Sequence, residues 1–119
     1  MSVHLDPRFQ QAVDLFNRHA WYEAHDVFEE IWHETAGDDR RLLQGILQIA
    51  VAHVHLERGN LRGATILLGE GVGRLSSATT GDLGLDLPSV RDQARLRLEA
   101  LQRETDPVAL PVPELREHS

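Results

Sequence analysis

Between Leu42 and Leu56 the sequence contains no charged residue, although 26% of the chain is charged. Apolar side chains in this stretch recur at helical spacing and fall on nearly every face of a helix. A helix that is apolar nearly all round is normally buried. The sequence therefore predicts a central, buried helix over residues 39–58, and His53 within it is interpreted as a core histidine rather than a ligand.

Helix boundaries on either side of this segment have recognisable chemistry. Asp6-Pro7 offers an N-cap and a proline at the first helical position. Gly37-Asp38 is placed to end one helix and cap the next, and Gly59-Asn60 is placed to do the same one helix later. Besides the central helix, a first helix is predicted to begin near Pro7. Three more are predicted to span about residues 21–34, 61–77 and 88–103.

A weak internal repeat appears when the sequence is shifted by 40 residues. The shift places residues 16–24 over residues 56–64, so that Ala24 and Ala64 coincide where two helices would cross. The pattern resembles the helical hairpins of tetratricopeptide repeats, but two units are too few for a solenoid. We therefore expect an all-α fold over residues 1–104, a single compact bundle of about five helices built on two helical hairpins. A flexible, proline-containing tail is expected over residues 105–119.

Composition restricts the function classes. The chain has no cysteine, which excludes disulfides, a thiol nucleophile and thiolate metal sites. A formal charge of −7 disfavours general nucleic-acid binding, because neutralising phosphates supplies most of that affinity. No apolar run approaches the ~20 residues of a membrane span, and the first residues do not resemble a signal peptide. We expect a cytoplasmic protein with no membrane association.

The first candidate site lies in the predicted second helix. His25 and Glu29 are four residues apart and share a helix face, with Trp32 beside them. A histidine and a carboxylate at this spacing can bind a divalent metal or form a carboxylate-oriented general base. The structural interpretation is a half-buried histidine that bonds Glu29 and packs on Trp32, since the second histidine of a His-Glu-x-x-His site is missing. No other cofactor is predicted.

The second candidate site lies on the central helix, where Gln44, Gln48 and His55 form one polar stripe. Buried amides need hydrogen-bond partners, so this stripe is predicted to face His25 and Glu29 in a shared polar cluster. The alternative is a structural network that fixes helix register. The catalytic or metal-binding candidates are therefore His25, Glu29 and His55, and the binding candidates are Trp32, Gln44, Gln48, Asn60 and Arg62.

The predicted fourth helix is unusual in its glycines, which are Gly63, Gly69, Gly71 and Gly73. They match no phosphate-binding pattern, and each lowers helix propensity by ~1 kcal/mol. They indicate close packing, either against the central helix or against a second copy of the chain. Arg58 and Arg62 beside Asn60 could form a local anion site at the N-terminus of this helix.

Several separated motifs occur in an order that resembles a known family. They are Phe16-Asn17, Tyr22-Glu23-Ala24-His25-Asp26, Leu43-Gln44-Gly45-Ile46 and Arg58-Gly59-Asn60-Leu61-Arg62-Gly63-Ala64. Over about residues 9–75 the chain resembles domain-of-unknown-function family 309. The resemblance implies an all-α fold, and it implies His25, Glu29, Trp32, Gln44, Gln48 and His55 as signature positions. His19 stands where a glycine is usual, and Val54 where an aromatic residue is common.

The resemblance implies no activity, so the function prediction depends on the residues. They favour a non-enzymatic binding or oligomerisation module, a homodimer or a partner of another protein, with a structural His/Glu/Gln cluster. The alternative is a small metal-dependent or acid–base hydrolase that uses His25 and Glu29. A pocket that reaches this pair would favour the hydrolase, and the sequence alone does not decide whether the chain is an enzyme.

Overall fold

A computed structural model describes residues 3–77, 82–104 and 111–117. In these ranges the chain forms a short 3-10 helix, Val3–Leu5, and the α-helices α1 (Pro7–Asn17), α2 (Trp21–His33), α3 (Gly37–Glu57), α4 (Leu61–Ser77) and α5 (Leu87–Gln102). Within the described residues no strand forms, and one isolated bridge joins Leu85 to Glu117. The predicted all-α class is confirmed.

The helix starts show where local chemistry was sufficient to predict a boundary. Asp6 caps α1 as predicted, because its carboxylate accepts a hydrogen bond from the backbone N–H of Arg8 at 2.9 Å. Helix α3 begins differently from the prediction. Its N-cap is Ala36, which has no side-chain oxygen, so the Gly37-Asp38 cap does not form.

Consecutive helices pack against each other, and α3 contacts both α2 and α4. Most of its large apolar side chains are buried, and Leu42, Ile46 and Ile49 are fully so. Burying a side chain of this kind stabilises a fold by roughly 1.5–3 kcal/mol. The position of α3 between its neighbours confirms the central helix that the uncharged stretch predicted.

Helices α3 and α4 approach most closely where two glycines face each other. The carbonyl oxygen of Gly45 lies 2.9 Å from the position that a Cβ on residue 71 would occupy, which leaves no room for a side chain at Gly71. Gly69 and Gly73 differ, because nothing lies within 4 Å of their Cβ positions. Contact with α3 therefore explains Gly71 and leaves Gly69 and Gly73 unexplained.

The described part of the C-terminal segment, residues 111–117, lies against the helices. Pro113 and Leu115 are buried. The Asn17 side chain donates to the carbonyl oxygen of Leu115 and accepts from its N–H, both at 2.8 Å. These contacts differ from the expected flexible tail for residues 111–117, because local composition does not show a partner on α1. Residues 105–110 and 118–119 of that expectation lie outside the described residues.

The turn between α1 and α2 contains a non-glycine residue in left-handed conformation. His19 has φ 64°, a region that favours glycine. Its ring stacks on Trp21 with the centroids 5.2 Å apart. The sequence resemblance places a glycine at this position. The left-handed backbone of the turn explains why a glycine is usual there.

Glycine at position 19 is expected to relieve this strain. The His19→Gly and His19→Ala variants both lose the stack on Trp21, so the difference between them reports the backbone alone. We expect His19→Gly to exceed His19→Ala in free energy of unfolding by about 1 kcal/mol. Urea denaturation followed by circular dichroism measures this difference, and equal stabilities of the two variants would contradict it.

Candidate functional site

The histidine–carboxylate pair of α2 forms as its spacing predicts. Nε2 of His25 lies 2.8 Å from Oε2 of Glu29, and the two side chains are 22% and 44% exposed. Nδ1 of His25 makes no hydrogen bond, but it lies 3.3 Å from Oδ1 of Asp26. Nε2 of His33 lies 3.6 Å from the other oxygen of Glu29. A carboxylate in this position can orient an imidazole, which is the geometry that either a general base or a structural pair requires.

Trp32 contacts a residue that the sequence analysis did not select. The guanidinium carbon of Arg40 lies 3.8 Å from the centroid of the Trp32 ring, in a cation–π arrangement. Arg40 also donates to the backbone carbonyls of Trp32 and Thr35 at 3.4 and 3.3 Å. Trp32 therefore fixes the direction of Arg40 at the start of α3.

The predicted cluster of the α3 stripe with the α2 pair is wrong. Nε2 of Gln48 donates to Oε2 of Glu70 on α4, at 2.7 Å. The amide of Asn60, in the turn before α4, donates to Nδ1 of His55 at 3.1 Å. Gln44 lines a cavity between α3 and α4. The stripe therefore faces α4. The prediction failed because helical spacing shows which residues share a face but not which neighbouring helix covers that face.

The sequence contained one indication of the true partner. Glu70 is the only acidic residue of α4, and it stands in the middle of an otherwise apolar and glycine-rich stretch. Asn60, predicted as a cap, accepts a hydrogen bond from the N–H of Gly63 at 3.0 Å and so does cap α4. Arg62, the last predicted binding residue, is exposed in the first turn of the same helix.

An open cavity of about 520 Å³ lies between the start of α3 and the end of α4. We call it the arginine groove, and it is lined by Gly37, Arg40, Arg41, Gln44, Glu70, Gly73, Arg74 and Ser77. Three arginines and one glutamate thus line one cavity, on a chain whose formal charge is −7. The sequence analysis missed these arginines because α3 and α4 bring positions 40 and 74 together only in the folded chain.

The α2 pair does not line this groove. A second cavity of about 290 Å³, between α1 and the segment before α5, is lined by neither His25 nor Glu29. Across residues 3–77, 82–104 and 111–117, no group of three or more His, Cys, Asp or Glu residues is placed to hold a metal ion. Where it is described, the chain also forms no helix with the length and hydropathy of a membrane span.

His53 is a buried titratable group on α3, as its interpretation as a core histidine predicts. It is 3% exposed and stacks on Trp21 with ring centroids 4.4 Å apart. Nδ1 lies 2.8 Å from the carbonyl oxygen of Ile49, which can only accept, so Nδ1 is the protonated nitrogen of the neutral ring. Nε2 is buried without a partner. The pKa of His53 is lowered to about 4, mainly by burial; the hydrogen bond to Ile49 opposes this shift, and the nearby charge of Arg97 adds to it.

Comparison with protein-family models matches residues 9–67 to a family described as a domain of unknown function, DUF309. A comparison with curated proteins found no match. The matched range covers α1, α2 and α3 and the first part of α4. It contains the α2 pair and the polar stripe of α3, but it ends before Glu70 and Arg74.

Proposed function

This chain belongs to the DUF309 family through residues 9–67, and we propose that it is a non-enzymatic helical module that pairs with a second copy of itself. The pairing surface is the side of α4 opposite Gly71, which we call the α4 face, and Gly73 on this face also lines the arginine groove. The α4 face consists of Arg62, Ile66, Gly69, Gly73 and Ser76, which recur every three or four positions and so lie on one side of the helix.

The main support for this proposal is the pair Gly69 and Gly73, which contact with α3 does not explain. Gly69 and Gly73 each cost about 1 kcal/mol of helix propensity relative to alanine. Nothing within 4 Å of their Cβ positions compensates that cost in the described chain. A second helix on the α4 face would use both positions, because glycine lets two helix backbones approach closely. Ile66 lies on the same face with 52% of its surface exposed, and pairing would bury it.

Charge and symmetry favour a second copy as the partner. A two-fold interface uses the same patch on both molecules, so the patch must be compatible with itself. Arg62 is the one charged residue among the five, and it lies at one end of the stripe, while Arg95 of α5 donates to Ser76 at the other end. Two copies packed antiparallel through Gly69 and Gly73 place their Arg62 residues at opposite ends of the interface, so the two Arg62 side chains do not meet each other.

Sedimentation velocity of the full chain over a range of concentrations tests this proposal. We expect a concentration-dependent dimer, and we expect Ile66→Glu to raise its dissociation constant at least about tenfold, because pairing would bury an unpaired charge. His25→Gln, on α2, is the matched control and should leave the dissociation constant unchanged. A monomer at every concentration, or equal association of Ile66→Glu and the unaltered chain, would contradict the proposal.

The hydrolase alternative depends on one observation, the 2.8 Å contact between His25 and Glu29. A hydrolase also needs substrate access, and the two cavities described above lie elsewhere. Elemental analysis of the purified chain distinguishes the non-enzymatic module from a metal-dependent hydrolase. A stoichiometric divalent metal that is lost in His25→Gln would replace the proposed module with a metal-dependent enzyme.

A further inference from the structure

We propose that the arginine groove binds a small ligand that carries a phosphate or carboxylate group at the arginine end and a hydroxyl or amine donor toward Glu70. This inference goes beyond self-association and does not rest on it. Three features of the groove support the inference. Two arginines have a fixed direction, a third has no ion-pair partner in the described chain, and the cavity has the size and polarity of a small-molecule site.

Two of the arginines are held in place before any ligand arrives. Arg40 lies over the Trp32 ring at 3.8 Å and bonds two backbone carbonyls. Arg41 donates to the hydroxyl of Ser77 on α4, at 2.9 Å. Ordering a long side chain on binding costs ~0.5–1.5 kcal/mol, so arginines that are already ordered bind an anion at lower cost.

Arg74 is the third arginine, and its charge is uncompensated. It stands four residues after Glu70 on the same helix, yet no ion pair joins them in the described chain. Over the described ranges, its guanidinium also makes no side-chain hydrogen bond. Glu70 instead uses Oε2 to accept from Gln48, which holds the carboxylate toward α3. Arg74 is therefore available to a ligand, and Oε1 of Glu70 is available to a hydrogen-bond donor.

The chemistry of the lining selects the class of ligand. Guanidinium groups present parallel N–H donors that match the oxygens of phosphate and carboxylate. The single acid at the other side of the groove opposes a ligand that is anionic throughout and favours one with a donor group there. A volume of about 520 Å³ is within the range of small-molecule sites. The charge of −7 over the whole chain opposes a long polyanion, so the ligand is small.

Isothermal titration calorimetry on the full chain, at low ionic strength, tests the site. The probes are inorganic phosphate, glycerol 3-phosphate and succinate, which separate phosphate from carboxylate recognition and show whether a hydroxyl adds affinity. We expect one oxyanion class to bind, and we expect glycerol 3-phosphate to exceed inorganic phosphate if that class is phosphate. Arg74→Gln should raise the dissociation constant at least about tenfold, since it removes a charge-assisted contact.

Arg103→Gln is the matched control, because it removes the same charge from an exposed arginine at the end of α5 that does not line the groove. It should change the dissociation constant less than about twofold, the effect of a distant screened charge. Repeating the titration in Ile66→Glu separates this site from self-association, and binding should persist there. No binding of any probe, or equal losses in Arg74→Gln and Arg103→Gln, would overturn the proposal.

Discussion

Gly71→Leu is expected to lower the free energy of unfolding by about 3 kcal/mol or more, because it forces α3 and α4 apart. A Cβ at this position would lie 2.9 Å from the carbonyl oxygen of Gly45 and 2.9 Å from Cγ1 of Ile49. One of these atoms belongs to the backbone of a central helix and cannot rotate away. The α3–α4 contact is also what positions the arginine groove, so the variant should lose anion binding together with stability.

The matched control is Gly69→Ala, two positions away on the same helix. Its Cβ meets nothing within 4 Å, so the better helix propensity of alanine should raise the free energy of unfolding by up to about 1 kcal/mol. Chemical denaturation at a concentration where the chain is monomeric measures both variants. Loss of stability in both would show that the crowding at Gly71 is not the cause. Gly69→Ala should at the same time weaken self-association, which separates monomer stability from pairing.

The second large effect is a loss of stability on acidification, caused by His53. The unfolded chain takes up a proton near the ordinary histidine pKa of 6.5, whereas the folded chain resists it until about 4. Between these values the unfolded state binds more protons, so the free energy of unfolding falls as the pH falls. A shift of this size corresponds to about 3 kcal/mol, fully present above the upper value and lost toward the lower one.

His53→Gln should remove this component. Glutamine can still donate to the carbonyl of Ile49, and it does not titrate. Denaturation followed by tryptophan fluorescence, at neutral pH and near pH 4, should show a larger fall in the free energy of unfolding for the unaltered chain than for the variant. Nuclear magnetic resonance of the His53 ring checks the pKa directly, without a variant. Parallel declines, or a ring that titrates near 6.5, would contradict the expectation.

The helices could be predicted from the sequence because their causes are local. The uncharged run of α3 lies within a single helix, and the Asp6 and Asn60 caps each act within one turn. The predicted bounds agree with the structure to within two residues. The His25–Glu29 pair is local in the same sense, since four residues of helix bring the side chains together.

The remaining part of the site depends on which helix covers which face. Gln48 needed a partner, and the spacing of polar residues along the sequence pointed to His25 and Glu29 instead of Glu70. Glu70 becomes the hydrogen-bond partner of Gln48 only because α4 packs closely on α3 through Gly45 and Gly71. The arginine groove has the same origin, because its residues come from two helices and share no short motif.

The pairing of Asn17 with Leu115 has a consequence for the order in which the protein is assembled. Each helix packs on its neighbour in the chain, so these contacts can form while synthesis is still in progress. The Asn17–Leu115 hydrogen bonds join positions 98 residues apart and so close a long loop. They can form only after residue 115 has left the ribosome. In a nascent chain halted before that point, the Asn17 side-chain amide on α1 has no Leu115 partner. The surface around it is then accessible to chaperones.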